Sequence, residues 1–236
     1  MAPAIRLYGA LLQVPGVDEP DLTIGEWATT TWVDMGIMRW PLGLCLALGI
    51  IVIIWKFFDL MSKTGKTRQI LKTVDELLAQ ARIKEALEAT RDSNAPAANI
   101  LYAGLERHDE GTDRVMKAIE NQGLIELSKL ESGLVILATL TNVAPLLGFL
   151  GTVLGMIVAF ESIETAGEVE ATLVAGGIKI ALLTTAAGLT IAIPVSIAHN
   201  YFVSRIDSLV IDMEESAQKM VDALHAIEAR GRAGAS

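Results

Sequence analysis

Thr141, Thr152, Thr184 and Thr185 lie in long uncharged apolar stretches. In such surroundings a hydroxyl, with one donor proton and two acceptor lone pairs, can meet an ion, a water molecule or a partner's carboxyl. Their spacing groups them with small residues. On an ideal helix turning 100° per residue, Thr141, Pro145, Gly148, Thr152, Gly155 and Ala159 fall within about 80° of one another, and Gly177, Ala181, Thr184, Thr185, Gly188, Ala192 and Ser196 within about 120°. Counted from the polar loop between the two stretches, Thr152 is roughly 12 Å deep and Thr185 roughly 20 Å deep at ~1.5 Å per residue. Both then straddle the middle of a bilayer core about 30 Å thick. Two small, polar stripes at similar depth predict helices packed closely around a shared interior. Thr152, Thr184 and Thr185 are the candidate polar positions of that interior, although geometry alone does not show that ions pass. Thr141, Pro145, Gly148, Gly155, Gly177, Ala181, Gly188 and Ala192 are candidate pore-facing packing positions.

Plainer roles compete with these. A membrane threonine often bonds its own helix carbonyl one turn back, glycines serve as packing notches, and Pro145 and Pro194 can simply kink helices. Lys179 points away from the second stripe and is expected to snorkel outward toward Glu161, Glu164, Glu168 or Glu170. His108, His199 and His225 have no metal-like or triad-like neighbourhood in the sequence, and no phosphate-binding glycine loop is present. No cofactor, metal site or enzymatic activity is expected. Cys45, the single cysteine, sits in an apolar run and is expected to be a small core filler.

The elements that position these residues are helices. Hydrophobic residues make up 52% of the 236-residue chain and charged residues 20%, a balance requiring both a membrane part and a water-exposed part. Net charge of -9 supplies no basic face, so no nucleic-acid partner is expected. Three spans are predicted: 40–58, between Trp40 and Trp55 at aromatic-belt heights, 133–160 and 172–203. Twelve Lys and Arg residues from Lys56 to Lys129 separate the first two spans, whereas Glu161–Glu170 has none. This asymmetry predicts that 1–39 and the 161–171 loop face outside, with 59–132 and 204–236 in the cytoplasm. Arg39 is a minor counter-signal. Lys56 is expected to snorkel to the surface.

The 59–132 region reads as helical, with apolar positions from Ile70 to Ala81 at helical spacing and a break at Ser93, Asn94, Ala95 and Pro96. A later helix carrying Val115, Ile119, Leu124 and Leu130 is expected to run unbroken into the second span. The third span is expected to continue past Tyr201 and end near Gly231. The amino terminus lacks the basic start and long apolar centre of a cleavable signal and is expected to be retained. Its AIRLYGALL run is a candidate surface helix on the outer face. The predicted fold is all-α: three transmembrane helices with long cytoplasmic extensions, in contact with membrane lipid.

APLLGFLGTVLGMIVAF (144–160) and GGIKIALLTTAAGLTIAIPVSIAHNYF (176–202) resemble the signature of the ExbB, TolQ and MotA family of ion-driven motor subunits, closest to the ExbB and TolQ branch. The resemblance implies a bacterial inner-membrane ring of five subunits around two copies of a single-span, ExbD- or TolR-like partner. The partner's membrane aspartate takes up a proton or ion, and the gradient drives envelope work of the TonB, Tol or gliding type. Family threonines near that aspartate match Thr152 and Thr185, so the resemblance makes these, with the adjacent Thr184, the candidate ion pathway. Where the branch commonly has a glutamate five residues before the second threonine, this chain has Ile180. Sodium coupling and a non-conducting membrane scaffold remain alternative readings.

Overall fold

The computed structural model describes residue 29, residues 32–167 and residues 171–233. The AIRLYGALL segment, and Glu168 and Glu170 of the short loop, lie outside the described residues. A 3-10 turn at Gly36–Met38 leads into α1 (Arg39–Ala79), followed by α2 (Ile83–Arg91), α3 (Pro96–Leu105), a second 3-10 turn at His108–Glu110, α4 (Thr112–Glu131), α5 (Leu134–Ala166) and α6 (Ala171–Ala233). No strand occurs among the described residues. Three helical segments, Gly36–Ala79, Leu134–Ala166 and Val174–Ile227, are long and apolar enough to cross a membrane.

Each long helix changes character along its length. The upper part of α1 is apolar on every side, exposing Leu44, Ile51 and Phe58. Its lower part is amphipathic and buries Ile70, Leu71, Val74 and Leu78. α6 behaves alike: Leu182, Ile193 and Ile197 are exposed, while Ile206, Leu209, Met213 and Met220 are buried further down. At about 1.5 Å per residue its 63 residues span roughly 95 Å, about three times the thickness of a bilayer core. The lower halves of α1 and α6 therefore pack in an extramembrane bundle with Leu101 and Leu105 of α3 and Val115, Ile119 and Leu130 of α4. Within it Glu126 of α4, 3% exposed, accepts hydrogen bonds from Asn99 Nδ2 (2.9 Å), Gln122 Nε2 (3.1 Å) and Lys129 Nζ (2.8 Å). Those partners offset the cost of burying a carboxylate and tie α3 to α4.

Breaks in the bundle have local causes. Pro96 opens α3 at its first turn, after Ser93 Oγ accepts the Ala95 amide at 3.3 Å. α1 ends at Ala79, short of the expected periodicity, because Ala81 adopts φ 55° and the amides of Gln80 and Arg82 turn back onto the Leu77 carbonyl.

The expected continuous helix from α4 into the second span is interrupted. Ser132 leaves helical geometry (ψ 131°) and Gly133 takes φ 87°. A Cβ on Gly133 would also lie 3.0 Å from the Trp55 ring, so glycine meets both the backbone and the packing demand. Lys56 holds the break from the opposite helix. Its Nζ donates to Leu130 O (2.5 Å) and Ser132 O (2.8 Å), and the side chain has no exposed surface. It caps the carbonyl end of α4, where a cation also meets the helix dipole favourably. The carbonyls draw Lys56 inward instead of letting it snorkel.

Candidate functional site

α5 and α6 are separated by four residues in the chain and share the most extensive helix contact among the described residues. Small residues set their separation. A Cβ on Gly148 would lie 2.9 Å from Thr184 O, one on Gly155 2.9 Å from Gly177 O, one on Gly177 2.7 Å from Gly155 O, and one on Gly188 2.6 Å from Ala144 O. At each place backbone meets backbone, so no side chain can be admitted without parting the helices. Ala159 and Ala181 continue this seam, both buried. Gly151 faces the Thr184 side chain and completes it. That glycine was not among the sequence candidates, although its spacing from Gly148 and Gly155 carried the signal.

The threonines divide by exposure. Thr184 is fully buried under Gly151 and donates to its own helix at Ala181 O (2.9 Å). Thr185, partly exposed, reaches across the seam and donates to Gly148 O (3.3 Å). Thr152, also partly exposed, donates to Phe149 O (2.6 Å), and Thr141 to Leu137 O (3.0 Å). Each hydroxyl proton is thus committed to a backbone carbonyl, while the oxygen retains acceptor capacity. Pro145 is partly buried and Ala192 fully so. Both α5 and α6 stay helical through their prolines, but Pro145 and Pro194 cannot donate to the carbonyls of Thr141 and Thr190. Asn142, next to Thr141 and exposed, donates to Ala138 O (2.9 Å) and is a second polar group absent from the sequence candidates. Its amide amid apolar residues was the available signal.

The predicted spans 40–58, 133–160 and 172–203 contain no acidic residue. Lys179 is paired with Asp34 (2.6 Å), and among the described residues neither Glu161 nor Glu164 pairs with it. The tertiary fold brings the segment preceding α1 beside the start of α6, a proximity 145 residues apart in sequence. The seam therefore presents hydroxyls and backbone carbonyls at its rim with no carboxyl of its own, an arrangement able to accept a proton-bearing group from another chain.

The model of the MotA/TolQ/ExbB proton channel family matches residues 92–215, which include α5, most of α6 and the whole seam. The chain belongs to this family. The biopolymer transport protein ExbB of Pseudomonas putida is 30% identical over 93% of this chain and 72% of its own length. An ExbB homologue of Methanothermobacter thermautotrophicus is 33% identical over 66% of this chain and 55% of its own. The Tol-Pal system protein TolQ of Haemophilus influenzae is 35% identical over 49% of this chain and 50% of its own. The chain thus spans from half to under three quarters of the length of these relatives. These likenesses place it near the ExbB and TolQ branch, as a multi-pass membrane protein of the proton channel family.

Proposed function

We propose that the protein is the channel-forming subunit of an inner-membrane motor that converts proton-motive force into work on the cell envelope. It works as a pentamer around two copies of a single-span, ExbD- or TolR-like protein whose membrane aspartate carries the proton. The observation that carries this reading is the seam itself: hydroxyls at its rim, and no carboxyl in any span. Thr152 and Thr185 are the pathway residues. Thr184, without exposed surface, supports the seam. A protonated aspartate arriving from the partner can donate to a threonine oxygen whose own proton is already engaged. Each elementary charge crossing 100 mV supplies about 2.3 kcal/mol for the work.

The same hydroxyls bear on the coupling ion. Adjacent Thr184 and Thr185 would suit sodium only if both oxygens met one cation, yet Thr184 is sealed beneath Gly151 and Thr185 turns to Gly148. Proton coupling is the better fit. Flux through the complex reconstituted with its partner tests this, with sodium replaced by potassium at fixed pH and membrane potential. The proton reading expects flux to persist and to collapse when the partner aspartate becomes asparagine. Flux that stops on removing sodium supports sodium coupling, and no flux under any gradient supports a scaffold.

A further inference from the structure

Where α1 and α6 leave the apolar region side by side, they frame an open cleft of about 390 Å³. Each helix contributes a stripe at matching offsets: Phe57, Met61 and Arg68 from α1, and Tyr201, Arg205 and Asp212 from α6. Over these twelve-residue stretches, about 16 Å along the axes, the wall changes from aromatic and apolar to charged. Phe57, Met61 and Tyr201 are exposed at the span end. Arg205 lies over the Tyr201 ring, 5.4 Å from its centroid, and donates through Nε to the Tyr201 hydroxyl at 3.1 Å. Neither Arg68 nor Arg205 has a carboxylate within ion-pairing distance among the described residues, although Asp212 shares the cleft. At Gly65, which also lines the cleft, a Cβ would meet nothing within 4 Å, so the space beside it is open.

We infer that this cleft binds an anionic phospholipid of the adjoining leaflet. The headgroup phosphate lies between Arg68 and Arg205, and an acyl chain runs up past Met61 and Phe57. Two guanidinium groups without a carboxylate partner outweigh the one carboxylate in the cleft, and the terminal nitrogens of each suit bidentate contact with phosphate oxygens. The order of the wall, apolar toward the span and cationic beyond it, repeats the order of groups along a lipid. A soluble phosphate shares the headgroup chemistry but leaves the apolar upper wall uncovered. The inference requires only that the three long helices span a bilayer, and it is independent of ion conduction.

Native mass spectrometry of the protein extracted from nanodiscs of equal phosphatidylglycerol and phosphatidylcholine content reads the preference. Phosphatidylglycerol should be retained selectively. Arg68→Gln with Arg205→Gln should lower that selectivity by about fivefold per guanidinium, roughly 25-fold together. Arg114→Gln, which removes an exposed arginine already paired with Glu110, should leave it unchanged. Gly65→Leu adds a good helix former in open space, so it should fill the cleft without disturbing the fold and reduce retention while both charges remain. Far-ultraviolet circular dichroism verifies that each variant is folded. Equal retention of the two lipids by the wild-type protein would overturn the site, as would unchanged selectivity in both the double variant and Gly65→Leu. Inorganic phosphate at headgroup-equivalent concentration should not displace the lipid, and displacement would assign the cleft to a soluble anion instead. Proton flux, measured in parallel, reports separately on the channel reading.

Discussion

The hydroxyl of Thr67 is fully buried on α1 and finds no hydrogen-bond partner among the described residues. Burial of an unsatisfied hydroxyl costs roughly 1–3 kcal/mol by protein mutational measures. Valine keeps the shape and discards the polar atom, so Thr67→Val should stabilise the protein by about 1 kcal/mol, seen as a higher thermal midpoint in detergent. A lower midpoint would mean that the hydroxyl has a partner in the assembled membrane complex. Thr152 and Thr185 call for a different expectation, since their oxygens remain available at the seam's rim. Thr152→Val and Thr185→Val should each abolish ion-driven function while leaving the oligomer intact. Loss of the Thr185 bond to Gly148 alone costs about 0.6 kcal/mol by typical membrane double-mutant cycles, too little to undo assembly. Wild-type flux in the double variant would reduce both to packing residues. The sequence could place these threonines on stripes, because periodicity fixes which residues share a face. It could not separate Thr184 from Thr185, because a difference of 100° decides burial only once the neighbouring helix is in place.

At the scale of elements, the junction between α4 and α5 was the part least legible in sequence. Gly133 looks like one more small residue in a glycine-rich chain, and neither its φ of 87° nor its contact with Trp55 has a local signature. The capping side chain comes from Lys56, 74 residues away from Leu130. By contrast, the long continuous α6 was readable because its apolar periodicity persists beyond Tyr201 with no breaker. The two residues at the junction should differ in cost. Lys56→Met leaves the buried Leu130 carbonyl without its donor, at about 1–3 kcal/mol, and takes a second bond from the part-buried Ser132 carbonyl. Gly133→Ala adds left-handed strain of about 1–2 kcal/mol, plus the approach of its methyl to Trp55. Thermal midpoints of the two variants in one detergent should both fall, with Lys56→Met the lower. A midpoint for Lys56→Met equal to wild type would show that water or another residue caps α4 equally well.

For the whole molecule, the most apolar windows of the three spanning segments bury only 28, 28 and 33% of their residues within the chain. Large side chains such as Leu44, Phe149, Phe160 and Leu182 therefore have to meet lipid or other copies. The small-residue seam is largely satisfied inside one chain, so it is not by itself the surface that drives assembly. A ring is supported instead by the rim of Thr152 and Thr185 and by family membership: the spare acceptor lone pairs of these hydroxyls would find no donor in lipid, whereas those facing a central interior would meet a partner. A closed homo-oligomer, a pentamer by the resemblance, should survive extraction into mild detergent, and native mass spectrometry counts its subunits. The direction of insertion follows from charge. The extramembrane bundle carries nearly all the Lys and Arg between the first two spans, and residues 161–170 carry none. The bundle should therefore lie in the cytoplasm, with the Lys179–Asp34 pair at the opposite face. A cysteine introduced by Lys66→Cys, in a Cys45→Ala background to remove the buried native thiol, reports this directly. It should resist a membrane-impermeant thiol reagent in intact cells and react once the membrane is opened, and labelling from outside intact cells would invert the topology.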